Sequence, residues 1–330
     1  MDKIAFIVGE NFIYWNSIVY TLAAATAICF FLAFYLNNCG NAVAGFSAIP
    51  LSLVLSVVLA RFVHWYSRAD AYSGFTAAMT DYSSGGYALI GVFAGCALSA
   101  ALLRLIFFHR SIPKMLDCMC LAGAAGISVG RLASLFNSSD RGAIIESIKT
   151  LPFVYPVTNV VSGALEYRLA TFMLQAITAL AIFLSLSVFY LKGREKVKDG
   201  DTSLIFLLVY CASQIILDST RYDSLFFRSN GFVSIVQVFS ALALGLVISL
   251  FSRRLVKAGG MKFWYIPLWI LIAGCIGGAG FMEYYVQRHG DQAVFAYSIM
   301  VSCLAGIVLL TLAIRLLAVK AERKQENCVG

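Results

Sequence analysis

The sequence predicts an all-α integral membrane protein: a polytopic helix bundle of about nine spans, N-terminus outside and C-terminus inside. Three observations carry this. Hydrophobic residues make up 60% of the 330 and charged residues 13%, against about 45–50% and about 25% in an average soluble domain. Nine apolar runs each approach the ~20 residues a helix needs to cross a ~30 Å hydrocarbon core. The cations are shared unequally between alternate loops. Such a composition, with mean hydropathy +0.83, excludes a soluble globular chain and a disordered one. The net charge of +8 then reads as Lys and Arg beside anionic lipid, and not as a nucleic-acid surface.

The predicted spans run over 13–36, 42–64, 86–108, 114–131, 165–191, 202–220, 231–251, 263–282 and 293–318. The first reads as a span and not a cleaved signal. Its apolar run is too long, and Asp2 and Glu10 stand where a basic segment is expected. The fourth is the weakest, short and rich in Gly and Ala, and it carries Asp117. The longest polar stretch, 132–160, joins spans four and five. The tail Lys320–Gly330 is short, charged and expected to fray. The last two spans differ in character from the rest, which suggests a division near 257, into 1–256 and 257–330.

With the N-terminus outside, the inner segments hold Arg110, Lys114, Lys192, Arg194, Lys196, Lys198, Arg253, Arg254, Lys257, Lys262, Lys320, Arg323 and Lys324, thirteen in all. The outer segments hold seven: Lys3, Arg68, Arg141, Lys149, Arg221, Arg228 and Arg288. The positive-inside rule selects this orientation. The nine cysteines lack the paired spacing of a zinc site or disulfide framework, and the three histidines, His64, His109 and His289, are scattered. No metal or other cofactor is implied.

Ionisable residues inside a span cost at least about 2.5–3.5 kcal/mol on insertion scales, so they have a partner or a function. Arg104 and Arg315 sit near inner ends, where snorkelling explains them. Asp117 lies at the inner end of span four. Arg61, Arg131, Glu166, Arg168 and Asp218 lie near outer ends. Interhelical pairing, such as Arg61 or Arg131 with Asp218, is the plain explanation. As a group they also make an anion site with acid–base groups beside it. A phospholipid headgroup arrives at that depth, and Arg presents a fork that matches phosphate oxygens. Gly91-xxx-Gly95, Gly126-xxx-Gly130 and Gly274-xxx-Gly278 have the spacing of close helix packing, a weak signal in apolar helices.

The stretch Gly130-Arg131-Leu132-Ala133-Ser134-Leu135-Phe136-Asn137-Ser138-Ser139-Asp140-Arg141-Gly142 resembles the signature G-R-I-G-N-F-x-N-G-E-x-x-G of the prolipoprotein diacylglyceryl transferase family. Upstream, the run Gly85-Gly86-Tyr87-Ala88-Leu89-Ile90-Gly91 is similar to that family's G-G-M-S-F-H-G. Arg61 falls in a segment similar to the end of its second span, and Asp117 where it has an aspartate. Downstream, Tyr210, Asp218 and Arg221 follow Y-G-x-G-R-F-x-x-E-F-x-R, with Asp223 and Gln237 beyond. The resemblance covers residues 13–256. It implies a seven-span core with an outer N-terminus; spans eight and nine lie outside it.

The departures are specific. The family's histidine position holds Ile90, its signature asparagine and glutamate are Ser134 and Ser139, and its third-motif arginine and glutamate are Gln214 and Asp218. Arg61, Asp117, Arg131, Asn137, Gly142, Tyr210, Arg221 and Gln237 are retained.

The resemblance implies transfer of a diacylglyceryl group from phosphatidylglycerol to the lipobox cysteine of a lipoprotein precursor, in a bacterial cytoplasmic membrane. The partners are then a phosphatidylglycerol-like phospholipid and a precursor peptide, and no nucleic acid. The leaving phosphate needs cationic stabilisation, which falls to Arg131, with Arg61 and Arg221 in support. Asn137 and Gly142 shape the headgroup loop, and Gln237 joins the substrate-binding set. The thiol must lose its proton. Ile90 cannot take it, which leaves Asp218, with Tyr210 on the same helical face, and less readily Glu166. His64 is a further replacement if its span turns it inward; beside Trp65 and Tyr66 it otherwise joins an aromatic belt. Three readings follow: a transferase with a relocated base, an enzyme using the phospholipid site for another acceptor, or a non-catalytic lipid- or partner-binding protein. A transporter ranks last, because the charges do not gather at midplane.

Overall fold

The computed structural model describes residues 3–329 except 10, 40, 81–85, 107–110, 138, 146–152, 160–161, 194–196, 227–232 and 289–291. Asp2, Glu10, Gly85, Ser138, His109, His289, Arg110, Lys149, Arg194, Lys196, Arg228 and Gly330, used above, lie outside the described residues, as do the side chains of Cys39 and Cys328.

Among the described residues, nine helices are long and apolar enough to cross a membrane. The protein is an all-α polytopic membrane protein. The spanning helices are α1 (Trp15–Cys39), α2 (Ala42–Ser67), then, after a short α3 (Phe75–Thr80), α4 (Leu89–Ile106), α5 (Ile112–Gly130), α6 (Thr171–Lys192), α7 (Asp201–Ser219), α8 (Ile235–Gly259), α9 (Ile266–Arg288) and α10 (Ala293–Val329). Two antiparallel hairpins supplement them: β1 (Ile4–Val8) with β2 (Asn11–Tyr14), and β3 (Val154–Thr158) with β4 (Leu165–Leu169).

The second hairpin corrects the fifth predicted span, which was expected to start at 165. Leu165-Glu166-Tyr167-Arg168-Leu169 alternates apolar and charged residues, a period of two. It pairs with the preceding strand from Val154↔Leu169 to Thr158↔Leu165. The helix begins only at Thr171, so Glu166 and Arg168 leave the list of charges inside a bilayer. The charged tail does not fray over its full length either, because α10 runs on to Val329. Arg315 is buried at 7% exposure.

The chain forms two compact units: Met1–Phe206 with Thr220–Val236, and Leu207–Ser219 with Gln237–Gly330. In the first, α1 packs on α5, α2 on α4, and α5 on α6. Gly91 and Gly95 press directly on the α2 backbone at Ala60 and Ser56, where any side chain would collide. Ser52 and Ser99 share a hydroxyl contact of 2.7 Å across the same pair. Gly126 and Gly130 lie against Ala27 and Ala23 of α1. In the second unit only Gly278 of the third glycine pair meets the facing helix, at the Cys303 sulfur; Gly274 faces open space. There Glu322 holds Arg254 through two 2.8 Å bonds, and the Trp269 Nε1–H donates to Ser252 Oγ at 3.1 Å.

Asp117 has a structural task. Buried at 2% exposure, its carboxylate accepts the N–H groups of Gly200 (2.7 Å) and Ser203 (2.6 Å). A side chain of α5 thus caps the N-terminus of α7, placing a negative group where helical N–H groups are unpaired. Asp117→Ala strands both donors. We expect it to lower stability by roughly 2–4 kcal/mol, read from chemical unfolding in detergent; an unchanged midpoint would show that the cap is dispensable.

Candidate functional site

The retained signature folds into a tight loop at the end of α5 in the first unit. The helix closes at Gly130 and passes into a 3-10 turn over Arg131–Leu135. The chain then bends back through Asn137, whose Oδ1 accepts the Ser139 N–H at 3.0 Å and the Ser139 hydroxyl at 2.5 Å. This local hydrogen bonding is why Asn favours turns.

Asp140 is the centre of the loop. Its Oδ1 accepts from Arg131 Nη1 at 3.0 Å and from Arg221 Nη2 at 2.8 Å. Its Oδ2 accepts from the Ser134 hydroxyl at 2.8 Å. Its backbone N–H donates to Asp223 Oδ2 at 2.8 Å, and its carbonyl accepts from Phe172 N–H at 3.1 Å. Asp223 Oδ1 in turn accepts from Arg221 at 3.0 Å. The φ of Asp140 is +56°, left-handed backbone that costs a non-glycine residue about 1–2 kcal/mol and that Asp tolerates better than most. Burial pushes this carboxyl up, but Arg131, Arg221 and the Ser134 hydroxyl outweigh it and hold it below the usual carboxylate range. Asp140 is therefore ionised at neutral pH.

Arg141 turns the other way. At 2% exposure it is among the most buried large side chains. Its Nη2 donates to the carbonyls of Ser134 (2.8 Å) and Asn137 (2.9 Å). Its guanidinium lies over the rings of both Tyr155 at 4.7 Å and Phe172 at 4.4 Å, which meet edge-on. Burial lowers its pKa. It pins the signature loop to the β3 strand and the start of α6. Gly142 completes the closure: its N–H donates to Leu169 O at 2.8 Å, and it bridges Arg221 in antiparallel fashion. Above it, Glu166 accepts from Arg168 at 2.7 Å, and Arg168 stacks on Tyr222 at 4.4 Å. The hydrogen bond from Asn159, then those from Arg168, hold the Glu166 carboxyl low, which makes it a weak base.

Of the predicted residues, Arg131, Asn137, Gly142 and Arg221 thus gather in one cluster. Counting Arg131, Arg141 and Arg221 against Asp140 and Asp223, the cluster keeps one net positive charge. Arg61 also belongs to the first unit, but it is tied elsewhere. Its Nε donates to Ala78 O at 2.6 Å and its Nη1 to Gly86 O at 3.0 Å, and its guanidinium lies 5.0 Å from the Tyr72 ring and 5.5 Å from the Tyr87 ring. It ties the end of α2 to the segment leading into α4. His64 lies one turn on. It meets the Tyr72 hydroxyl at 2.9 Å and packs on Gly86, whose φ of +86° and crowding by the imidazole both require glycine.

Tyr210, Asp218 and Gln237 belong to the second unit and are all buried. Tyr210 and Asp218 are two turns apart on α7, and the Gln237 amide donates to Ile215 O at 3.3 Å. Next to Asp218, Ser219 exchanges hydrogen bonds with Tyr297 of α10 at 3.2 and 3.4 Å. Arg131 pairs with a carboxylate that the sequence reading did not name, Asp140, nine residues along its own loop. Asp140 and Arg141 were missed as site residues. The available signal was the run Ser138-Ser139-Asp140-Arg141-Gly142, which carries a carboxylate one place after the position where the resembled family has its glutamate.

A model of the prolipoprotein diacylglyceryl transferase family matches residues 3–252. A phosphatidylglycerol–prolipoprotein diacylglyceryl transferase of Streptococcus sanguinis (strain SK36) is 25% identical over 213 residues, 62% of this chain and 78% of its own. One from Streptococcus pneumoniae (strain Hungary19A-6) is 25% identical over 212 residues, 62% of this chain and 77% of its own. The matched span takes in the signature loop, the arginine cluster, the first six membrane helices and most of the seventh, and the chain belongs to the prolipoprotein diacylglyceryl transferase family.

Proposed function

We propose that this protein transfers the diacylglyceryl group of phosphatidylglycerol to the cysteine thiol of a lipoprotein precursor, at the outer face of a bacterial cytoplasmic membrane. The observation that carries the reading is the pair of arginines, Arg131 and Arg221, meeting on one carboxylate in a loop that keeps a net positive charge. In the reaction the thiolate sulfur bonds to the terminal glyceryl carbon. The bond from that carbon to the phosphate oxygen breaks, and glycerol phosphate leaves with the electron pair. Charge accumulates on that phosphate, and fixed cations stabilise it most where water is scarce. Arg131 supplies this, with Arg221 beside it. Asn137 and Gly142 give the loop its shape, and Arg61 supports the adjoining segment. The thiol proton goes to Asp218, with Tyr210 on the same face and Gln237 at the next helix start. The chemistry is a displacement between two substrates and calls for no cofactor.

We further propose that 1–256 is the transferase-like domain and 257–330 an addition to it; the family match ending at 252 supports this. The test is direct. Purified protein in phosphatidylglycerol nanodiscs is given a lipobox peptide, and the thioether is followed by mass. Asp218→Asn is expected to lower kcat by about 10²- to 10⁴-fold. Wild-type rates in that variant would remove Asp218 as the base. No transfer by the unmutated chain to any of several lipobox peptides would end the reading.

A further inference from the structure

We propose that Asp140 is a positioning residue: it sets Arg131 and Arg221 side by side so that both guanidinium groups act on one phosphate. The proposal rests on the transfer reading above and assigns a role within it.

The geometry is specific. One oxygen, Oδ1, receives Arg131 Nη1 at 3.0 Å and Arg221 Nη2 at 2.8 Å. Two cations that repel each other are thereby held in contact with a common atom, although they come from segments ninety residues apart in the chain. The carboxylate is itself immobilised. Ser134 fixes Oδ2, Asp223 fixes the backbone N–H, and Phe172 fixes the carbonyl. The backbone adopts a left-handed conformation, φ +56°, to aim it. A residue in strained backbone persists where its surroundings over-determine it, as they do here. Arg221 is steered a second time by Asp223 at 3.0 Å. Asp140 touches neither substrate in this scheme; it acts through the two arginines.

A rival account is available and predicts the opposite sign. If Asp140 is only a counter-ion, it competes with the phosphate, and removing its charge strengthens anion binding. If it positions the arginines, removing it weakens binding even though the cluster becomes one unit more positive. Asp140→Asn separates the two. Asn keeps the side-chain shape and adopts left-handed backbone at least as readily, so the loop retains its path.

In transfer assays Asp140→Asn is expected to raise KM for phosphatidylglycerol about tenfold and lower kcat about tenfold, the scale of a misplaced charged donor. Asp140→Glu restores part of both. An unchanged or lower KM overturns the proposal, and so does a kcat loss that only follows a smaller folded fraction in unfolding scans. Should Asp140→Asn fail to fold, Ser134→Ala releases only Oδ2; it is expected to raise KM about threefold, and an unchanged KM overturns the proposal. The functional reading can fail separately. If the wild-type chain transfers nothing, glycerol phosphate titrated onto the solubilised full-length protein gives the same sign test. Weaker binding by Asp140→Asn supports positioning. Equal or tighter binding, or no binding by the wild type, refutes it.

Discussion

Arg131→Ala is expected to lower diacylglyceryl transfer by about 10²- to 10³-fold, the cost of removing one fixed donor from a developing anion. The phosphate oxygen gains charge as the carbon–oxygen bond breaks, so a cation there acts more strongly on the transition state than on the bound lipid. Arg131 is the last residue to be set by α5: its N–H continues the helix to Ile127 O and Val129 O, so its backbone is fixed before the loop begins. Its side chain is then aligned by Asp140 at 3.0 Å. Alanine removes the charge and leaves Asp140 balanced by Arg221 alone, taking the cluster from one net positive charge to none. Arg131→Lys keeps the charge but loses the planar fork, and is expected to recover only part of the loss. The measurement is single-turnover thioether formation in phosphatidylglycerol nanodiscs. A kcat within threefold of wild type for Arg131→Ala would take Arg131 out of the chemistry.

The spans were legible because they rest on composition and length, which survive divergence. Trp15–Cys39, Ala42–Ser67 and Asp201–Ser219 fall within three residues of their predicted ends. Prediction failed where a short segment changes period. Leu165–Leu169 adds five residues of alternating character to a long apolar run, and a window tuned to spans absorbs them. The β1–β2 hairpin was unread for a related reason: Ile4–Tyr14 is apolar and short, and periodicity over so few residues does not separate strand from helix. The site was half legible. Arg131 and Arg221 stood out as charges at span ends. Their shared partner did not, because the Arg131–Asp140 pair depends on one left-handed residue and on a loop folded by Asn137 and Arg141. Those are consequences of tertiary closure, and Arg141 in particular gains its meaning from Tyr155 and Phe172, which are distant in sequence.

Gly142→Ala tests that closure most severely, because Gly142 is enclosed from three directions. A methyl group there would lie 2.8 Å from Leu169 Cβ, 2.8 Å from Thr171 Oγ1 and 3.0 Å from Thr220 O. These belong to β4, to the start of α6 and to the turn after α7. Gly142 cannot retreat, since its own N–H is bonded to Leu169 O at 2.8 Å and Leu169 N–H to Ala143 O at 3.0 Å. Nor can Thr220 yield freely, since Thr171 and Thr220 share a hydroxyl contact at 3.2 Å. The displacement therefore passes to Arg221, the next residue, which Gly142 bridges. Overpacking of this kind costs about 1–3 kcal/mol of stability. The larger effect is expected on activity: a shift approaching 1 Å in an arginine that meets Asp140 and, in the proposed reaction, a phosphate is expected to lower kcat/KM by about 10²-fold. Gly123→Ala is the matched control, a glycine of α5 with nothing within 4 Å of an added methyl; it is expected to leave transfer unchanged. If both alanine variants transfer at the wild-type rate, the loop does not need its close contact at Gly142, and the precision assigned to the Arg221–Asp140 pair is not required for the reaction.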